Sequence, residues 1–201
     1  MMRHSALLAL VAASIFPAVL GQSQADLSAA VSKFPQLSSF SSLLGSNPNL
    51  LGSLIPSGTN QGVTLLIPSN DAFDKYANRT GSNVTSLPAD TLSVTLQYHI
   101  MAAPLTSTNF SSAQGTIVPT LVTDAANNNR TAGAALINTY GQQAAQGQVL
   151  FVSKSTGASA KFRVKRQQGK SAQISGGDAQ GASMDPIDAQ WSGGYFQIID
   201  E

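Results

Sequence analysis

Few side chains in this 201-residue chain could do bond-making chemistry. There is no cysteine, which excludes thiolate nucleophiles and thiolate metal sites. There are two histidines, His4 and His99, and His4 falls in the N-terminal leader described below. That leaves one imidazole, too few for a multi-histidine metal centre within one chain. Aspartate pairs are the remaining acid–base candidates: Asp71 with Asp74, and Asp185 with Asp188. Nothing around either pair sets one member apart as acid and the other as base. Capping and first-turn positions favour Asp without any catalysis, and they account for these residues better. The glycine-framed serine elbow, the phosphate-binding loop ending in Gly-Lys-Ser/Thr and the dinucleotide fingerprint are all missing from the sequence. No enzyme activity and no cofactor are expected.

Two other features could bind. His99 follows Tyr98 at the end of an amphipathic stretch, where a lone His is usually a packed residue with its ring nitrogens bonded. The competing reading is a binding or pH-sensing group. The run "KFRVKRQQGK" alternates Lys161, Arg163 and Lys165 with Phe162 and Val164, with Arg166 next in line. On a strand that sets three cations on one face, a polyanion or polysaccharide contact by point charges and bidentate guanidinium. The plainer reading is the solvated face of an edge strand guarded by charge against aggregation.

The elements that must position these residues come after a leader. "MMRHSALLALVAASIFPAVLG" has Arg3 and His4, an apolar run from Ala6 to Leu20 and small residues near its end, the order of a secretory signal peptide over residues 1–21. The run is short for a membrane span and is interrupted by Pro17, so no stable span is expected. Removing the leader takes Arg3 and no acid from 11 basic and 10 acidic residues, so the remainder is close to neutral. No global field then favours nucleic acid or a membrane surface. Charged residues make up 10% of the chain, far below the usual quarter. Four sequons, at Asn78, Asn83, Asn109 and Asn129, would each accept a glycan in a surface loop and supply the missing surface polarity.

Residues 26–46 carry Leu27, Val31, Phe34, Leu37, Phe40 and Leu44 at helical spacing, broken near Pro35. "VTLLIP" (63–68) reads as a strand buried on both faces. Ser69 or Asn70 then caps a helix with Asp71 and Asp74 in its first turn and Phe73 turned to the core. "LPADTLSVTLQYHI" starts another helix at Pro88. Beyond Pro104 the runs "GTIVPTLVTD", "AALINTY", "GQVLFVS", "AKFRVKRQ" and "GGYFQIID" read as short strands between turns. Helices first and strands later argue α+β, with a mainly antiparallel sheet and helices gathered to one side.

Three stretches, in order, resemble the fasciclin-like (FAS1) domain family. "VTLLIPSNDAF", with Pro68, Asn70, Asp71 and Phe73, looks like its first motif. Tyr98-His99 matches its central Tyr-His pair, and "GGYFQIID", with Ile198 and Asp200, looks like its second motif. The resemblance covers residues 25–201 and implies a β-sandwich or wedge with helices to one side. It also implies a secreted, non-catalytic module of cell adhesion, extracellular matrix or cell wall, with an extracellular protein or polysaccharide as partner. An Asp-Ile dipeptide that some members present to integrins is here interrupted by Pro186, so integrin recognition does not carry over.

Overall fold

Strand β1 (Val63–Pro68) is wholly interior until its last residue. Its sequence explains why: Val63, Leu65 and Ile67 alternate with Thr64 and Leu66, and both sets are buried. The first set joins the helices in one core; Leu66 joins a second core on the opposite face. Thr64 is tolerated there because its Oγ1 donates to the carbonyl of Ala103 (2.8 Å) and accepts from the Leu105 N–H (2.6 Å). The computed structural model describes residues 23–55, 62–112, 114–154, 172–176 and 181–200.

Beside β1 runs β7 (Gly194–Ile199) in parallel, with Leu65 opposite Phe196 and Ile67 opposite Ile198. On its other side lies β2 (Ile100–Met101), antiparallel. With β3 (Thr116–Pro119), β4 (Val149–Lys154), β5 (Ala172–Ser175) and β6 (Gly181–Trp191) these make one seven-stranded sheet in the order β2-β1-β7-β6-β5-β4-β3. All pairings except β1 with β7 are antiparallel. The two ends approach: Met101 bridges Thr120, and the Ala102 N–H donates to the Pro119 carbonyl at 2.9 Å. The architecture is therefore α+β, as expected, but the described strands curl as one nearly closed sheet and do not divide into a two-sheet sandwich.

Gly194 makes the β1–β7 approach feasible. Its φ is +135°, and a Cβ there would lie 2.1 Å from the Val63 carbonyl oxygen.

The helices cover one face: α1 (Gln24–Val31), α2 (Ser38–Ser46), α3 (Leu50–Leu54), α4 (Asn70–Thr80) and α5 (Ala89–Tyr98). The break expected at Pro35 is a 3-10 turn, Pro35–Leu37, between α1 and α2. Phe34, just before it, meets the Phe196 ring edge-on at 5.6 Å. Two strand readings need correction. "AALINTY" is helix α6 (Ala134–Tyr140), stopped by Gly141 at φ +85°. "GTIVPTLVTD" is strand only over its first four β residues, β3.

The corner after β1 works across elements. Ser69 caps α4, its Oγ accepting from the Ala72 N–H at 3.3 Å. Asn70 serves another helix: its Oδ1 accepts from the Ser39 N–H (2.9 Å) at the start of α2, and its Nδ2 donates to Ser38 Oγ (3.0 Å) and the Pro35 carbonyl (3.3 Å). One side chain thus ties the end of β1 to the start of α2. Replacing Asn70 by Ala removes that cap and is expected to cost about 1–2 kcal/mol. Thermal unfolding should show Tm lower by roughly 2–8 °C, with an unchanged folded spectrum.

Candidate functional site

A cavity of about 320 Å³ lies between α4, α5 and the sheet. Its walls come from three distant parts of the chain. α4 and the strand before it supply Pro68, Ala72, Phe73, Tyr76 and, at the exposed side, Lys75 and Arg79. α5 supplies Thr95, Leu96 and Tyr98, with His99 capping its end. The sheet supplies Leu66, Leu150, Ile174, Ala182 and Ile199. Among the described lining residues the only charged ones are the two cations; no carboxylate faces the space.

His99 is fixed by the helix it ends. Its Nδ1 lies 2.7 Å from the Thr95 carbonyl, one turn back. A carbonyl only accepts, so Nδ1 carries the proton and Nε2 presents a lone pair. No partner for Nε2 exists among the described residues, yet it is not enclosed. The one sealed side-chain polar atom without a bond among them is Trp191 Nε1. The half-buried ring is one of the groups lining the cavity. Desolvation there lowers the pKa below the ordinary 6.5, against a smaller opposing effect of the Thr95 bond. His99 is a neutral wall group near pH 7.

Tyr98 lies beside it, with its hydroxyl end packed where a Cβ on Gly176 would stand, 2.2 Å away. Asp200 lies just past β7: its Oδ1 accepts from the Ser183 N–H (2.8 Å), while its carbonyl accepts from Lys75 Nζ (2.7 Å). Ile198 packs on the helical side in register with Ile67. Pro68, Phe73, Tyr98 and His99, singled out in the sequence, thus share one cavity, with Ile199 between Ile198 and Asp200. Asp71 is exposed in the first turn of α4. Lys75 and Arg79 were not foreseen, although a spacing of four on a helix already placed them together.

Of the second aspartate pair, Asp188 has a structural role. Asp188 has φ +50° beside the irregularity in β6–β7 pairing, between Asp185 and Ala189. Its carboxylate accepts from the Ser107 N–H (2.7 Å), Ser107 Oγ (2.6 Å) and Gln197 Nε2 (2.9 Å), and its own N–H donates to Gln197 Oε1 (2.9 Å). Gln197 is fully buried, so this ring of bonds keeps an interior amide satisfied. Among the described residues no cluster of His, Cys, Asp or Glu could hold a metal ion, and no helix is long and apolar enough to cross a membrane.

All four sequon asparagines are exposed. Asn78 differs from the loop expectation, standing in the last turns of α4. Asn83 caps a 3-10 turn, its Oδ1 accepting from the Thr85 N–H at 3.2 Å. Asn109 accepts from the Thr106 N–H at 2.8 Å in a turn. Asn129 sits between buried Asn128 and Arg130, whose guanidinium is held by the carbonyls of Ala145 and Gly147. The basic residues Lys161, Arg163, Lys165 and Arg166 lie outside the described residues, as does the 1–21 leader.

The Fasciclin domain family profile matches residues 35–201. The chain belongs to the FAS1 family. Among solved structures it is similar to a FAS1 domain pair from the insect cell-adhesion molecule fasciclin I, at a TM-score of 0.52 and 20% sequence identity. That match covers 84% of this chain and 45% of the insect chain, so this protein spans less than half of the pair. At that identity the likeness is one of fold. No curated protein matches. FAS1 domains are typically adhesion-type or extracellular interaction modules, generally without catalysis and commonly extracellular or secreted.

The lowered pKa of His99 sets a stability window. The unfolded chain takes up a proton at the ordinary pKa and the folded chain only at a lower one, so stability is full above about 6.5 and falls as pH drops toward the folded value. No other histidine follows the leader. Urea unfolding at pH 7.5 and 5.5 should show a lower midpoint at pH 5.5, and His99→Gln should flatten that difference.

Proposed function

We propose that this FAS1 domain is a secreted, N-glycosylated, non-enzymatic protein that mediates cell adhesion or contacts within the extracellular matrix or cell wall. Its partner on this reading is an extracellular protein or polysaccharide, reached through exposed loops. Membership of the FAS1 family across residues 35–201 carries the proposal. The adhesion role of the insect molecule with a similar fold supports it, as do the signal-like leader over residues 1–21 and the exposure of Asn78, Asn83, Asn109 and Asn129. The surface also suits glycan cover, because so few charges are available to hydrate it.

Expression of the full chain in a eukaryotic secretory host tests the reading. The protein is expected in the medium, shortened by loss of the leader, with gel mobility that increases on glycosidase treatment. Changing the four sequon asparagines to Gln should abolish the mobility change. Beads coated with the secreted product should aggregate or adhere to cells or wall polysaccharide above the level of albumin-coated beads. Retention inside the cell or the absence of adhesion in both formats would overturn it.

A further inference from the structure

The cavity beside His99 has a chemistry that adhesion through exposed loops does not use. Most of its described lining is apolar, its only charged groups are cationic, and the two cations stand together at its exposed side. We infer that it is a binding site for an amphipathic monocarboxylate: an apolar chain of about ten heavy atoms carrying one acid head. The inference is independent of the adhesion reading.

Size comes first. At about 30 Å³ per water-sized unit, 320 Å³ holds on the order of ten heavy atoms, at the lower end of the range for small-molecule pockets. The occupant is therefore a medium-length chain or a compact ring system, too small for a folded peptide segment. Polarity comes next. Phe73, Leu96, Leu150, Ile174 and Ile199 offer no hydrogen bonds, so the part of the ligand against them must be apolar. Thr95 adds little, because its hydroxyl already donates to the Thr91 carbonyl at 2.7 Å.

Charge then fixes the head and its direction. Lys75 and Arg79 are four residues apart on α4 and so project from the same side of the helix. An Arg fork suits a carboxylate bidentately, and Lys75 adds a second positive charge while holding the Asp200 carbonyl. The opposite orientation fails at His99. Its Nδ1–H is committed to Thr95, so the ring presents a lone pair that would repel a carboxylate. The acid head thus stays at the rim and the chain points inward past the neutral imidazole. A cationic amphiphile would meet two like charges at the entrance.

Calorimetric titration of the full-length protein with decanoate, decanol and decyltrimethylammonium, all below their micelle concentrations, tests the site. Decanoate should bind with one-to-one stoichiometry, decanol more weakly, and the ammonium amphiphile not at all. Arg79→Ala should weaken decanoate about fivefold and leave decanol unchanged. Ala182→Phe, which fills the cavity from β6, should abolish binding of both. Should that variant fold poorly, Val84→Trp fills the same space from the 3-10 turn after α4, where the backbone is exposed. Absence of decanoate binding would overturn the inference. So would equal binding of all three amphiphiles, or binding that survives a folded cavity-filling variant, since either would mean adsorption elsewhere on the surface.

Discussion

The parallel pairing of β1 with β7 is the constraint on which the molecule depends. Parallel neighbours cannot be joined by a tight turn and need a crossover. Here the crossover is most of the domain: among the described residues α4, α5, α6 and five strands separate Pro68 from Gly194. Both strands are buried on both faces, so the pair divides the interior into the helix-side core around Phe196 and the sheet-side core around Met184. With no cysteine to staple the chain, this interior and its hydrogen bonds must hold the ends of the domain together. The close approach at Gly194 is correspondingly intolerant, since a methyl group there would collide with the backbone of Val63 and not with a side chain that could swing away.

The cavity is a consequence of that pairing. Pro68 at the end of β1 and Ile199 at the end of β7 are register partners, and both line it. α4 leaves β1 at Ser69, and Lys75 returns to the carbonyl of Asp200, so the first wall closes against the last strand. α5 ends at His99, whose carbonyl accepts from Leu66 N–H at 2.8 Å, fixing the second wall to β1 from the other side. Two side chains forced inside this framework are satisfied locally, Thr64 by the chain at 103–105 and Gln197 by Asp188, whereas Trp191 Nε1 is sealed without a bond.

Much of this frame was legible in the residues, for identifiable reasons. β1 announced itself by a continuous apolar run ending in Pro, and α4 by a polar cap following it. The helix with Tyr98-His99 followed from apolar spacing after Pro88. Strand β6 escaped because Asp185, Pro186 and Asp188 look like a turn. They are tolerated because the pairing register shifts there, leaving Pro186 outside the regular ladder. α6 was mistaken for a strand because Ile137, Thr139 and Tyr140 favour strands, while what decides its state is the pair of flanking glycines and the bond from Gly141 N–H to the Ile137 carbonyl. The cavity itself was not legible. Its cations follow from helical spacing, but the strands that face them come from residues 150–182, and no local pattern connects the two.

The motif residues therefore have two consequences that separate in space. Asn70 acts away from the cavity, on the start of α2, whereas Phe73 and Tyr98 act on its walls. A side chain can belong to the family pattern for either reason, and the pattern alone does not say which. The sequons divide similarly. Asn78 and Asn83 adjoin Arg79 and Val84, both of which line the cavity, while Asn109 and Asn129 lie near the β3–β4 end, bonded through the Asn109 carbonyl to Thr116 and through Arg130 to Gly147. A glycan at either of the first two would therefore sit one residue from a wall of the cavity.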